Sequence, residues 1–355
     1  MGSAAISSYA DAHRSITGIC HENADARTLR LQLLAAIRRA VGFDAYAWLI
    51  TDPETSVGSS PLADVPCLEV LPTLIRLKYL TTINRWTGLP NGAVSLFNAT
   101  GGDLSQSLMW RDLLRSYLVS DIASAVYRDR FGCWGFLDLW RIKGAPFSGA
   151  DIEFLTSVTA PVTTALRRSQ AHTFIGSTAT DRLPPGPVVL LLSPDLDVRA
   201  QTPLTQRYLR VLVPPEAESQ APVPASAYNV AAQLLANEKG ADTNPPLTRV
   251  HMANGTWLTL RAARLDAAQP ASERDIAVSI EPATPHDRIV VFARSCGLSP
   301  RETQLLHHVV TGADTRDLAG QLFVSENTVQ DHLKSIFAKT ATRTRRALLA
   351  RALGT

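Results

Sequence analysis

The stretch VSENTVQDHLKSIFAKTATRTRR (324–346) sets five bases, Lys334, Lys339, Arg343, Arg345 and Arg346, against two acids, Glu326 and Asp331. Val329, His332, Leu333 and Ile336 recur at helical spacing and define one face, while Asn327, Gln330, Asp331, Lys334 and Ala338 occupy the other. The second face carries groups able to read base pairs. Lysine donates to guanine O6 and N7, glutamine pairs with adenine N6 and N7, and a carboxylate accepts from cytosine N4. Ser325, Asn327 and Thr328 fall at the helix start, where side-chain and backbone donors can hold a phosphate. Lys339, Arg343, Arg345 and Arg346 are placed for phosphates further on. Asp331 is the discordant member. An acid there lowers sequence-independent attraction to the backbone and adds a cytosine preference.

Such a helix needs neighbours to hold it. LSPRETQLLHHVVTG opens with Ser299 as N-cap, Pro300 at the first helical position and Glu302 three residues after the cap, a capping box. Leu305, Leu306, Val309 and Val310 form its apolar stripe, and Gly312 ends it. TRDLAGQLF predicts a second, two-turn helix with Leu318, Ala319 and Leu322 inside, and RTRRALLARAL a fourth after the basic one. Two short helices joined by a tight turn, the second longer and basic at its end, make a helix-turn-helix. His332 lies on the packed face, which favours a core hydrogen bond over a base contact.

This section resembles the LuxR-type (LuxR/FixJ) DNA-binding domain. The resemblance is carried by Leu298, Arg301-Glu302, Leu306, Gly312, Leu318-Ala319, Leu322, Val324-Ser325, Thr328-Val329, His332, Ile336, Lys339 and Arg345, without gaps. Thr340 departs, because the family usually has an apolar residue after the lysine. The resemblance implies base contact by Gln330, Asp331 and Lys334. It also implies double-stranded DNA as partner. A single helix-turn-helix covers little DNA, so a homodimer on a partly palindromic operator is expected, with the helices around 287–296 and 344–353 as candidate dimer elements. RNA polymerase is a candidate further partner.

The bulk numbers agree with a basic module on a neutral body. The chain has 355 residues, 45% apolar and 19% charged, with a formal charge of +3. From Gly297 onward there are eight Lys/Arg and five Asp/Glu, leaving 27 of each in the rest, so the whole excess lies in the last section. Cys20, Cys67, Cys133 and Cys296 are far apart and show no metal-ligand spacing, which argues against structural zinc or a disulfide framework. There is no signal-peptide apolar region and no run of membrane-spanning length, so a cytoplasmic protein is expected.

Proline clusters at 181–187, 213–226 and 281–288 divide what precedes the helix-turn-helix. In the first part, DARTLRLQLLAAIRRAVGF predicts a helix, DAYAWLITD a strand and EVLPTLIRLKYLTTINRW a helix. SDIASAVYRD and CWGFLDLWRIKG predict neighbouring strands, and SGADIEFLTSVTAPVTTALRRSQ a long helix kinked at Pro161. That closing pair of strand and helix, GCWGFLDLWRIKGAPFSGADIEFLTSVTAPVTTAL, resembles the ending of GAF domains. In the second part, PVVLLLS and DVRAQT read as strands, PLTQRYLRVL and AYNVAAQLLANEKG as helices, and LTRVHMANGTWLTLRAARL as a hairpin turning at Asn254-Gly255. With DIAVSIEPA as the last strand, that order resembles a PAS domain. The expected fold is therefore α+β sensor domains with antiparallel sheets, then an all-α four-helix domain. The expected boundaries are 1–180 (GAF-like), 186–284 (PAS-like), 285–296 (linker helix) and 297–355 (helix-turn-helix).

A DNA-binding tail on sensor-like modules implies control by a signal. Trp48, Tyr79, Trp86, Trp110 and Trp134 are candidate ligand-binding residues for a small, partly apolar effector. Aromatic residues line plain cores more often than pockets. Trp86, Trp110 and Trp134 are harder to dismiss as a set, since each buried indole N–H needs a partner. No cofactor is expected. His13, His21 and Cys133 are unsupported as haem ligands, as are Cys67 and Cys133 as chromophore attachments. No Ser-His-Asp arrangement, P-loop or dinucleotide fingerprint is present, so an enzyme is not expected. The alternative is a regulator whose GAF- and PAS-like sections serve only as dimerisation or interaction platforms.

Overall fold

The computed structural model describes residues 2–175, 184, 186–212, 224–252, 255–265, 270 and 273–354. Most of the proline-rich loop at 213–226, part of the break at 181–187, and Asn254 of the expected hairpin turn lie outside those residues.

The chain begins with α1 (Gly2–His21), α2 (Ala26–Ala40), β1 (Ala45–Thr51), β2 (Gly58–Asp64) and α3 (Leu71–Leu80). It continues through β3 (Gly92–Ser95), α4 (Leu96–Ala99), α5 (Leu108–Asp112), β4 (Val119–Asp129), β5 (Gly132–Ile142), α6 (Gly149–Ser157) and α7 (Thr159–His172). The five strands form one antiparallel sheet in the order β2-β1-β5-β4-β3. The central strands β4 and β5 are buried along both faces, which is why they read as nearly continuous apolar runs. One face packs on α1, α2 and α7 through Ile16, Leu33, Ile37, Trp48, Trp134 and Leu166. The opposite face carries Phe136, Val126 and Trp140 toward α3 and α5.

The long helix expected over 148–170 is two helices, broken at Val158 three residues before Pro161. Proline lacks the N–H that would bond back to residue 157, and its ring crowds that carbonyl, so the chain restarts as a new helix instead of kinking within one. α6 begins with a capping box between Ser148 and Asp151.

A second antiparallel sheet follows, in the order β7-β6-β10-β9-β8. Its elements are β6 (Val189–Leu192), β7 (Val198–Gln201), α8 (Thr205–Leu212), α9 (Ala225–Glu238), β8 (Leu247–His251), β9 (Trp257–Arg264) and β10 (Ile276–Pro282). β8 and β9 form the expected hairpin, with His251 facing Trp257 and Gly255 at φ +83°.

The two sheets interlock through α9. That helix packs on α3 and β2 of the first sheet and on β9 of the second, and is buried nearly all round. Small side chains, Ala227, Ala231, Ala232 and Ala236, let it approach both sides. The stripe Ser226, Asn229 and Gln233 is also buried, and Ser226 Oγ, Asn229 Oδ1 and Gln233 Oε1 accept no hydrogen bond among the described residues. Polar bonds rim the contact. Thr55 Oγ1 donates to Leu247 O at 2.6 Å, and the Arg249 backbone N–H donates to Asp52 Oδ2 at 3.0 Å.

The Arg249 guanidinium, itself buried, also lies 3.3 Å from Asp52 and meets Glu54. Glu54 in turn faces Arg294 at 3.5 Å. Arg294 belongs to α10 (Pro285–Ser295), the helix expected as a linker, which opens with a Thr284–Asp287 capping box. Far from spanning solvent, α10 buries Ile289, Val291 and Phe292 and packs on both α7 and the last helix of the chain. Four further helices complete the structure: α11 (Pro300–Val310), α12 (Thr315–Leu322), α13 (Glu326–Thr340) and α14 (Arg345–Leu353). Leu305, Leu306, Leu318, Val329, Ile336 and Leu348 share one core with α10, Phe174 and Trp257.

Candidate nucleic-acid interface and a buried charge centre

The four C-terminal helices start where their caps require. Ser299 accepts from Glu302 N, Asp314 from Asp317 N, Ser325 from Thr328 N and Thr344 from Ala347 N. Glu302 does more than close its capping box. Its Oε2 accepts from Ser299 N at 2.6 Å and from Lys339 Nζ at 2.7 Å, and its Oε1 accepts from Ser335 Oγ at 2.6 Å. This buried carboxylate ties α11 to α13. Burial alone would raise its pKa, but the bonds from Lys339, Ser335 and Ser299 prevail and lower it to about 2.

α13 buries Val329, Leu333 and Ile336 and leaves Gln330, Asp331 and Lys334 exposed, with Asn327 beside them. Lys334 Nζ lies 3.2 Å from Asp331 Oδ1, so the discordant acid is the lysine's partner in the free protein. His332 is half-buried and its imidazole makes no hydrogen bond among the described residues, unlike the core bond expected of it. Thr340 occupies a buried corner where an apolar side chain was expected. Its hydroxyl donates to Ile336 O at 2.8 Å and pairs with Thr342 Oγ1 at 2.9 Å, so the polar group is satisfied.

The expected phosphate contacts divide into two groups. Ser325, Asn327 and Arg343 are exposed, and Thr328, half-buried, shares a hydroxyl contact with Ser325 at 2.9 Å. Lys339 and Arg345 are engaged within the domain. Lys339 neutralises buried Glu302, and Arg345 donates to Ala313 O at 3.3 Å and Thr315 Oγ1 at 2.8 Å. A buried carboxylate needs a counter-charge, and the connection into α12 presents a carbonyl and a hydroxyl to Arg345, so two of the bases that spacing alone assigns to DNA already have partners within the domain.

The five aromatic residues expected around a ligand are not brought together. Trp48 and Trp134 stand in the core beneath α1, α2 and α7, whereas Tyr79 and Trp86 belong to the opposite face of the first sheet. Trp110 packs at the edge of that opposite face. Alternation along β1 sends Trp48 away from α3, and a β-bulge where β4 pairs with β5 turns Trp134 to that same side although it stands two residues before Phe136, so one pocket cannot be lined by all five. Each of the three indoles singled out has an internal partner: Trp86 Nε1 donates to Asp138 at 2.8 Å, Trp110 Nε1 to Val119 O at 2.9 Å and Trp134 Nε1 to Asp129 at 3.0 Å.

Under α3 lies a charge centre that spacing did not reveal. Lys78 Nζ reaches Asp138 Oδ2 at 2.9 Å, and both residues are buried. Asp138 Oδ1 also accepts from Ser124 Oγ at 2.6 Å, its directly facing residue on β4. Asn84 Nδ2 donates to Ser124 Oγ at 3.0 Å, and the Lys78 ammonium sits 4.9 Å from the Trp86 ring centroid. Burial lowers the Lys78 pKa, and Asp138 opposes that shift. Asn84 adopts φ +59°, and its Oδ1 is buried without a partner among the described residues. Beside it is a cavity of about 10 Å³, lined by Lys78, Thr81, Asn84 and Ser107 on its polar side and Ile83, Leu96, Met109 and Ile122 on its apolar side. The available signals were Lys78 within the apolar run LIRLKYL and Asp138 within GFLDLW.

Among the described residues no group of His, Cys, Asp and Glu could hold a metal ion, and no helix is long and apolar enough to cross a membrane. Burial pushes the Cys20 and Cys67 thiols up to about 11 and Cys296 up to about 12, away from thiolate chemistry.

Residues 297–352 match the family model described as bacterial regulatory proteins, luxR family. No curated protein matches the chain. The structure of SdiA from Escherichia coli is 11% identical, with 96% of each chain covered and a TM-score of 0.33. A phage VqmA–DPO complex is 18% identical over 53% of this chain and 88% of that one, with a TM-score of 0.19. The sensor region of a sensor histidine kinase is 16% identical over 67% and 84%, also at 0.19. Likenesses this low bear on neither fold nor function. The family match and the four capped helices agree on their own: residues 297–352 are a LuxR-family helix-turn-helix domain, carried by a chain whose preceding residues build two interlocked antiparallel sheets.

Proposed function

We propose that the chain is a ligand-responsive transcriptional regulator that binds its operator as a dimer. The carrying observation is the exposed polar face of α13, beginning at a Ser325-capped helix end. Gln330, Asp331 and Lys334 read base edges there, and Ser325, Asn327, Thr328 and Arg343 hold phosphates. Lys339 and Arg345 position the reading helix from within the domain. Residues 1–180 and 186–284 act as the sensing body, with α10 the route from that body to the DNA-binding helices. The chain of ion pairs Arg249–Glu54–Arg294, buried only at Arg249, supports that route, because it joins the second sheet, the β1–β2 turn and α10.

The effector is a small, partly apolar molecule received beside Asn84. An unpartnered amide oxygen, three further polar side chains and an apolar opposite wall suit a ligand carrying at least one hydrogen-bond donor. The cavity holds about one water, so binding requires α3 or the segment bearing α4 and α5 to move. That small size favours the second reading, in which the sheets act only as interaction platforms. Footprinting on genomic DNA tests the regulator, and absence of any protected site sinks it. Mass spectrometry of molecules released from the purified full chain, with thermal shifts against aromatic and acyl compounds, tests the effector. Failure of every apolar class leaves the platform reading.

A further inference from the structure

The bend between α12 and α13 carries an aromatic ring that the fold does not use. Phe323 is 94% exposed, whereas the other exposed large apolar side chains among the described residues lie between 39% and 55%. Its backbone is left-handed, at φ 52° and ψ 47°. Glycine or asparagine adopts that conformation at lower cost than an aromatic residue. The backbone itself serves the bend: Phe323 N–H donates to Gly320 O, and Val324 N–H donates to Ala319 O at 3.0 Å. Flanking Leu322 is buried and Val324 half-buried, so the core is closed on both sides without the ring. The position thus combines backbone strain with no packing return, which neither stability nor solubility explains. Two residues on is Ser325, the cap of the reading helix.

We propose that Phe323 is an apolar DNA contact, its ring laid against a thymine methyl in the major groove next to the phosphate held at the α13 N-terminus. The occupant is DNA because the ring is continuous in the chain with the exposed face of α13. Apolar contact with the thymine methyl is an established mode of base readout, and a phenyl ring at the groove edge loses the water contact it has in the free protein. The assignment rests on the DNA-binding reading of residues 297–352.

The test uses the full chain and a short duplex recovered by it from a random-sequence pool. Phe323→Gly and Phe323→Asn suit the left-handed backbone, so both are expected to match or exceed the wild-type thermal midpoint. Both should bind the duplex about tenfold more weakly. The slope of log affinity against log salt should stay unchanged, because a phenyl ring releases no counterions. Replacing thymines by deoxyuridine in the duplex should weaken wild-type binding and leave the Phe323→Gly variant unaffected. Equal affinity of wild type and Phe323→Gly overturns the proposal and leaves the ring to a protein partner. A lowered midpoint in both variants overturns it in favour of a structural role, and an insensitive wild type on deoxyuridine duplex rejects the methyl contact. A wild-type chain that recovers no duplex rejects the DNA-binding reading itself, a result distinct from these.

Discussion

Three lysine–carboxylate pairs in this protein differ chiefly in burial. Lys78–Asp138 is 2.9 Å apart, with side chains 4% and 3% exposed. Lys339–Glu302 is 2.7 Å apart at 38% and 4%, and Lys334–Asp331 is 3.2 Å apart at 75% and 75%. The distances are similar, so geometry alone does not rank them. What ranks them is the medium around each pair. In the first, water cannot replace a lost partner. In the second, one end is dry and the other wet. In the third, water or a nucleic acid can take over from either side chain at little cost. The buried pair fixes the packing of α3 on the sheet, and the exposed pair remains free to exchange partners on the face proposed to meet DNA.

The largest effect should come from the dry pair. Asp138→Ala leaves Lys78 buried without its counter-charge and should destabilise the chain by about 3–5 kcal/mol in urea unfolding. Asp331→Ala, removing the same type of partner in water, should stay within about 0.5 kcal/mol of wild type. Similar losses in the two variants would break the comparison.

The mixed pair should show itself in acid. The Glu302 carboxyl titrates at about 2 in the folded chain, below its ordinary value of 4.5. The folded state therefore holds the ionised form more tightly than the unfolded chain does. Its contribution is complete above pH 4.5 and is lost as pH falls from there through about 2. The urea midpoint should drop across that window, and Glu302→Gln should flatten that part of the profile. A profile that is the same in both proteins would remove Glu302 from the account.

Smaller effects are expected on DNA. Lys334→Ala should cost about 1–3 kcal/mol at the selected site and relax preference at one base pair, with the urea midpoint unmoved. Arg343→Ala should weaken binding to all sequences and lower the salt slope by about one. Identical behaviour of these two variants on selected and random duplexes would erase the division between reading and gripping. The smallest change is that of Asp331→Ala on random DNA, where binding should be no weaker while discrimination at one position falls.

The DNA-binding end was legible in the chain because its signals are local. Ser299, Glu302 and Ser325 act over three residues, and the apolar spacing of Val329, Leu333 and Ile336 shows which face turns outward. Pairing of β4 with β5 and of β8 with β9 was legible for a similar reason, since each joins neighbouring runs through a short turn. Phe323 was read as the last residue of a helix, because nothing local marks it as the left-handed residue beyond the end.

Only the tertiary structure decided the rest. Lys78 and Asp138 lie 60 positions apart and meet because α3 crosses β5. Asn229 and Gln233 stand one turn apart on α9 and share a polar side, yet α9 is enclosed between two sheets and that side is dry. Trp48 and Trp134 share a composition with Trp86 but not a side of the sheet. Local hydrogen bonding and periodicity determine where a helix begins and which way it faces. Which surfaces are then denied water depends on contacts between distant segments, and that decided which of this protein's charges are structural and which remain free to bind.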